Sequence, residues 1–257
     1  MTMYAEERQQ AMAQLVTERG RVSVNAIADQ FDVTTETVRR DLSVLERMGL
    51  LRRVHGGAVP ASALAVIEAG FGERDLANTA EKDQIARAAL DLLPPSNGTV
   101  LFDAGSTTSR LASLLPRDLR LIVVTHAVPV AARLAGSAQV ELHVLPGRVR
   151  PTTQAAVGAD TVAALGQLRA DVAFVGTNGL TVDHGLSTPD REEAATKRAM
   201  VASARRVICL VDSSKLGVEA SVRFAALSEI DVVVTDDGIA ADDRRSLVRA
   251  GVEVVVA

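Results

Sequence analysis

Seven short apolar runs, TVLF (99–102), LIVV (121–124), VELHVL (140–145), VAFV (172–175), VICLV (207–211), VVVT (232–235) and VEVVV (252–256), recur through residues 81–257. Amphipathic segments lie between them, among them 85–93, 109–115, 128–134 and 192–204. A strand apolar along most of its length must be covered on both faces, and a helix between successive strands supplies that cover. The alternation therefore predicts an α/β domain with a mostly parallel sheet.

The first sixty residues follow a different period. Ala11, Met12, Leu15 and Val16 recur at helical spacing within Glu6–Thr17, and Gly20 supplies a stop. Val24–Phe31 forms a second short helix, Asp32-Val33 a tight break, and Thr34 caps a third helix running to about Met48 before Gly49. Val38, Leu42 and Leu45 make the apolar stripe of this third helix, leaving Thr35, Thr37, Arg39, Arg40 and Ser43 on the opposite face. LLRRVHGGAV then reads as two extended runs around a His55-Gly56-Gly57 turn, a wing. Residues 58–80 lose periodicity and carry Pro60, Gly70 and Gly72, so three segments are expected: a reader domain over 1–57, a linker over 58–80 and the α/β domain over 81–257.

Composition narrows the chemistry. With 47% hydrophobic and 23% charged residues in 257, the chain can build packed cores. No apolar run approaches the roughly 18–20 residues of a membrane span, and MTMYAEERQQ lacks the basic-then-apolar plan of a signal peptide, so a cytoplasmic, nucleoid-associated protein with no membrane partner is expected. The lone Cys209 sits in an apolar run and rules out a disulfide framework. Trp is absent and aromatics are few, which disfavours stacking on unpaired bases. The four His (55, 126, 143, 184) lack metal-ligand spacing, and G-x-x-x-x-G-K-[ST], G-x-G-x-x-G and G-x-S-x-G are all missing. Neither a metal nor a cofactor is expected.

The net charge of −4 conceals its distribution: residues 1–60 carry eight Arg against eight acids, and five of those Arg fall within 39–55. A short helix, a tight turn and a second helix with an Arg- and hydroxyl-bearing face suit the major groove of double-stranded DNA. Thr35, Thr37, Arg39 and Arg40 are the candidate contacts on the helix, with Arg52, Arg53, His55 and Gly56 on the wing. The competing reading pairs these Arg with Asp41 and Glu46 on a solvated surface.

In the α/β domain, DAGSTTSRLASLL (103–115) follows an apolar strand and opens a helix. Gly105, Ser106, Thr107 and Thr108 thus offer either an anion cradle or an ordinary helix-capping loop. Further polar loops follow the strand ends, bringing Thr125 and His126, Thr177, Asn178 and Gly179 into reach of a common ligand. Arg150, Lys197 and Lys215 are the cations placed for a phosphate, and Asp103, Asp190 and Asp212 can accept sugar hydroxyls. For Lys197 the rival is an intrahelical pair with Glu193 at i, i+4.

The stretch VSVNAIADQFDVTTETVRRDLSVLERMGLLRRVHGGAV resembles the winged helix-turn-helix of the DeoR family of bacterial transcription regulators, with its VRRDL helix and R-x-HGGA wing. The rest resembles that family's effector domain through DAGSTT, VVTHAVPVA, GRVRPTTQAAVG, AFVGTNGL, GLSTPDREEAATKRAM and VDSSKLG. GTNGL, DHGLSTPD and MYAEERQQ look closest to actinobacterial sugar-uptake and fructose regulators within it. The resemblance implies an N-terminal winged helix-turn-helix, classed here as all-α, and a C-terminal domain like ribose-phosphate isomerases and CoA transferases. It also implies a non-enzymatic homodimeric or homotetrameric repressor released from operator DNA by a sugar phosphate such as a fructose phosphate. Two departures stand out: His126 where the family usually has Asn, and Pro146-Gly147 where it has Gly-Gly. The alternative is an isomerase-like enzyme with Asp103, Asp190 or His126 as its base.

Overall fold

The computed structural model describes residues 5–19, 22–54, 57–60 and 69–257. Two compact units emerge, Met1–Val66 and Ile67–Ala257.

The first unit contains α1 (Ala5–Arg19), β1 (Val22–Ser23), α2 (Val24–Phe31), α3 (Thr35–Arg47), β2 (Leu51–Val54) and β3 (Gly57–Pro60). It is not all-α, because the wing strands recruit Val22–Ser23 into a three-stranded antiparallel sheet of order β1-β3-β2. Gly57 is required where β3 meets β1, since a Cβ there would stand 2.3 Å from the Val22 carbonyl oxygen. Asp32 closes α2 in the left-handed region at φ 50°, and the Thr34 hydroxyl accepts the Thr37 amide at 3.2 Å to open α3. The stripe Val38, Leu42 and Leu45 is fully buried against Met12, Leu15, Val16, Ile27 and Leu51. Each such side chain contributes about 1.5–3 kcal/mol of burial.

Asp41 shares this inner face. Its carboxylate accepts from Arg8 Nε at 2.8 Å and from Gln9 Nε2 at 2.7 Å, tying α3 to α1. The competing reading's pairing of Asp41 with the outer Arg side chains does not occur among the described residues, because the helical period that buries Val38, Leu42 and Leu45 also turns position 41 inward.

The second unit runs α4 (Phe71–Leu76), α5 (Thr79–Ala88), β4 (Gly98–Phe102), α6 (Ser106–Ser113), β5 (Leu121–Thr125), α7 (Val128–Leu134), β6 (Val140–Val144), β7 (Arg148–Arg150), β8 (Ala155–Val157), α8 (Ala159–Gly166), β9 (Ala170–Gly176), β10 (Gly179–Thr181), β11 (Gly185–Thr188), α9 (Arg191–Ser203), β12 (Ala204–Leu210), β13 (Val222–Ala225), β14 (Val232–Thr235), α10 (Ala241–Arg249) and β15 (Glu253–Val256). All seven apolar runs became the strands of one parallel sheet, ordered β15-β14-β12-β9-β4-β5-β6. Two apolar layers cover it, one centred on Phe102, Phe174 and Ile208 and the other on Leu101, Val175 and Cys209. The segment 58–80, expected as a linker, holds among its described residues most of β3, all of α4 and the start of α5.

Asp41→Ala should strand the half-buried Arg8 guanidinium and lower the stability of the first unit by about 1–3 kcal/mol. Urea denaturation of the full chain checks this, with the transition of the second unit unmoved.

Candidate functional site

The chain passes outward from β4 through β5 to β6, then returns to the other side of β4 with β9 and proceeds outward through β12, β14 and β15. Loops leaving β4 and β9 therefore diverge, and the crevice beyond the carboxyl ends of these two strands is where open α/β sheets hold ligands. Phe102 and Phe174, register partners on these strands, stack at 5.5 Å beneath it.

Asp103, the first residue past β4, fills the crevice and is fully buried. Its Oδ2 accepts from the Gly176 amide at 2.8 Å and from the Lys197 ammonium, which reaches across from α9. Lys197 also donates to the Gly176 carbonyl at 3.0 Å and lies 5.4 Å from the centre of the Phe224 ring. Oδ1 sits 3.0 Å from His126 Nε2. The imidazole is clasped on both sides: Nδ1 lies 2.8 Å from the Ala156 carbonyl oxygen, and Nε2 also lies 3.1 Å from the Ala104 amide nitrogen.

Burial by itself pushes the Asp103 carboxyl up, but the Lys197 ammonium and His126 override it and hold the group well below the ordinary carboxylate range. The ionised form thus stabilises the fold at pH above the unfolded value of about 3.9, and that contribution is lost as pH falls below it.

The remaining candidates divide. Gly105 opens α6, and Ser106, Thr107 and Thr108 make its first turn, where the backbone amides have no helical acceptor. The Thr108 hydroxyl turns back to the Asp103 and Gly105 carbonyls. Thr125 and Thr177 spend their hydroxyls on the Phe102, Gly179 and Ser187 carbonyls. Gly179 lies so close to the next loop that a Cβ would meet the Val218 carbonyl oxygen at 2.3 Å. The Asn178 amide is held by the Ser187 carbonyl. Arg150 pairs with Glu193 at 2.5 Å and with Asp190 at 3.3 Å, while Asp190 also caps α9 through the Glu192 and Glu193 amides. Glu193 therefore partners Arg150 and Thr153, and Lys197 one turn later partners Asp103.

Lys82 was not singled out by sequence, yet it is the second buried ammonium of this unit among the described residues. It belongs to the inner stripe Lys82, Ile85, Ala86 and Ala89 of the α5 region, and that spacing was its signal. It donates to the Ala77 carbonyl at 2.5 Å and to the Arg74 carbonyl. Burial, with Lys215 and Arg110 nearby, lowers its pKa against the opposing pull of Asp212 and Asp75. Asn78 binds Asp212 at 2.9 Å and Ser214 at 3.2 Å, so Lys215 and the loop after β12 join the same cluster. A surface groove lies elsewhere, between α10 and the end of β15, and its lining Asp237, Arg244, Arg245 and Arg249 are all exposed. The buried charges mark the more convincing site.

In the first unit, Arg39 and Arg40 are exposed on α3; Arg39 makes only a 3.7 Å surface contact with Glu36. Thr35 and Thr37 are half-exposed at the start of the helix. Arg53 joins the wing to the helix, its guanidinium donating to the Ser43 hydroxyl and its amide to Glu46, each at 2.8 Å. His55, Gly56 and the Arg52 side chain lie outside the described residues.

Asp103→Asn should leave the Lys197 ammonium buried without its counter-charge and cost about 3–5 kcal/mol of stability at neutral pH, whereas Asp103→Asn/Lys197→Met recovers most of the loss. Urea unfolding midpoints of the three proteins test the coupling; additive losses would contradict it.

Comparison with known proteins meets this geometry from outside. The DeoR-like helix-turn-helix domain is matched over residues 8–63 and the DeoR C terminal sensor domain over residues 77–237. The HTH-type transcriptional regulator GlpR of Haloferax volcanii is 37% identical over 98% of both chains. The glycerol-3-phosphate regulon repressor of Escherichia coli K12 is 33% identical over 91% of this chain and 92% of its own. A solved ribose 5-phosphate isomerase A from Methanocaldococcus jannaschii aligns at a TM-score of 0.41 and 16% identity over 55% of each chain, too loose a likeness to speak of activity. The chain belongs to the DeoR family of transcriptional regulators.

Proposed function

We propose that the protein is a repressor that holds double-stranded operator DNA through α3 and the β2–β3 wing and releases it when a phosphorylated sugar occupies the carboxyl end of the parallel sheet. The observation that carries the DNA half is the inward turn of Asp41, which leaves Arg39 and Arg40 exposed beside Thr35 and Thr37 without a carboxylate from their own VRRDL segment. Arg53 and Arg52, with His55 and Gly56, extend the contact along the wing.

For the sensor half, the amides of Ser106, Thr107 and Thr108 with the Lys82 and Lys215 ammonium groups favour a phosphate, and Asp212 and Asn178 are suited to sugar hydroxyls. Asp103, His126 and Lys197 order the floor of this site; Arg150 and Asp190 brace the start of α9. The name of the glycerol-3-phosphate repressor, a relative aligned along most of the chain, supports a phosphorylated small polyol as the ligand class. An isomerase reading fares worse, because a carboxylate held far below the working pH is a weak base.

Arg40→Ala should weaken operator binding by about 1–3 kcal/mol if it reads a guanine, or reduce the log-log salt slope by about 0.9 if it holds a phosphate. Fluorescence anisotropy at several salt concentrations separates the two, and unchanged affinity removes Arg40 from the interface. A panel of sugar phosphates should raise the melting temperature of the wild type, and Lys82→Met should lose that rise while retaining operator affinity. A Lys82→Met protein that still responds would defeat the assignment of Lys82.

A further inference from the structure

The parallel sheet ends in two open edges, β15 and β6. β6, with sequence VELHV, carries no proline, no lysine and no bulge against β5, the usual devices that stop an edge strand from pairing. The Leu145 amide donates to Thr125 and the Gln139 carbonyl accepts from Leu121. Backbone groups of odd-numbered residues therefore point toward β5, and those of Leu142 and Val144 point out of the sheet edge. Val140 and Leu142 pack against the core, Val144 is 57% exposed, and Glu141 and His143 stand together on the other face, 2.8 Å apart and solvated.

This strand is complementary to itself. Antiparallel pairing about a two-fold axis through Leu142 sets that residue opposite Leu142 of the second copy as a mutually hydrogen-bonded pair, the outward direction of its backbone groups being the one required. Glu141 then faces His143 of the second copy in the closer, non-hydrogen-bonded position, twice over, and Val144 faces Val140. We propose that β6 is the seam at which two copies of this chain join into one continuous sheet. The β15 edge lacks the same match: the Glu253 and Ala257 amides donate to β14, so Val254 faces outward, and a two-fold through Val254 would set Glu253 against Val255 of the second copy. The seam involves neither DNA nor effector, so it is tested apart from the proposed function.

Cys209 is buried, so introduced thiols can be followed without interference. Chains carrying Glu141→Cys and His143→Cys are co-expressed, oxidised and run on a non-reducing gel. In the proposed register the two new cysteines lie with Cα atoms about 4.5 Å apart, within the 4.4–6.8 Å span of a disulfide, while like positions are diagonal and beyond reach. A covalent dimer is expected from the co-expressed pair and not from either variant alone. No linkage in the pair, or equal linkage in a single variant, overturns the register. Light scattering without DNA or effector gives the second readout: His143→Glu sets like charges opposite each other and should halve the native mass, and Glu141→Lys/His143→Glu should restore it. Both positions are exposed, so folding is preserved, and an unchanged mass in His143→Glu defeats the proposal.

Discussion

The second unit depends on one buried ion pair. Asp103 and Lys197 meet where the chain reverses its direction across the sheet, and the contact joins the end of β4, the end of β9 and the inner face of α9, with His126 adding the end of β5 and β8. Removing two charges from water costs several kcal/mol each, and the Gly176 amide and carbonyl, the His126 ring and the Phe224 face around the pair offset that cost. What it supplies is definition: a rotation of α9 that slid Lys197 away from the crevice would strand both charges at once. Stability comes chiefly from the apolar layers above and below the sheet, and the position of α9 from the pair.

That division explains what the sequence could and could not disclose. Parallel strands are buried on both faces, so each of the seven became a visible apolar run, and their edges were missed by at most three residues, at the start of β12. The short antiparallel pieces β1, β7, β8, β10, β11 and β13 have two to four residues each, too few to leave a run to see. Asp103, His126 and Lys197 were legible as polar residues at strand ends or on a helix, but their partners were not. Spacing along α9 puts Glu193 within reach of Lys197; only the tertiary packing assigns Glu193 to Arg150 and Lys197 to Asp103. Lys82 was overlooked because a lysine on a helix is ordinarily solvated, although its place in the stripe with Ile85, Ala86 and Ala89 carried the opposite message.

Asp41 teaches the same lesson in the first unit. Its neighbours in VRRDL are basic, and adjacency suggested neutralisation, but successive residues on a helix do not face one another. Position 41 lies three residues beyond Val38, on the buried side, and its carboxylate holds α1 in place. The net charge of the first sixty residues is zero, yet the surface of α3 is not neutral, because Asp41 turns inward and leaves Arg39, Arg40 and Arg47 exposed beside Glu36 and Glu46. A chain of net charge −4 can in this way present a cationic patch to a polyanion.

Under the proposed function, the effector must prefer one conformation over another by the full coupling energy, typically about 1–3 kcal/mol, so some element near the ligand must be held weakly enough to respond. α4 has that character. It buries no residue, and it is retained by polar contacts: Lys82 to the Arg74 and Ala77 carbonyls, Arg110 to the Asp75 carbonyl and carboxylate, and the Phe71 amide to the Thr152 carbonyl. The side-chain tethers come from two cations, Lys82 on α5 and Arg110 on α6. A phosphate that drew on the Lys82 ammonium would compete directly with the carbonyls that anchor α4. Since α4 begins four residues after Ile67, where the second unit starts, that competition acts on the first described helix of the sensor, with no relay through the sheet required.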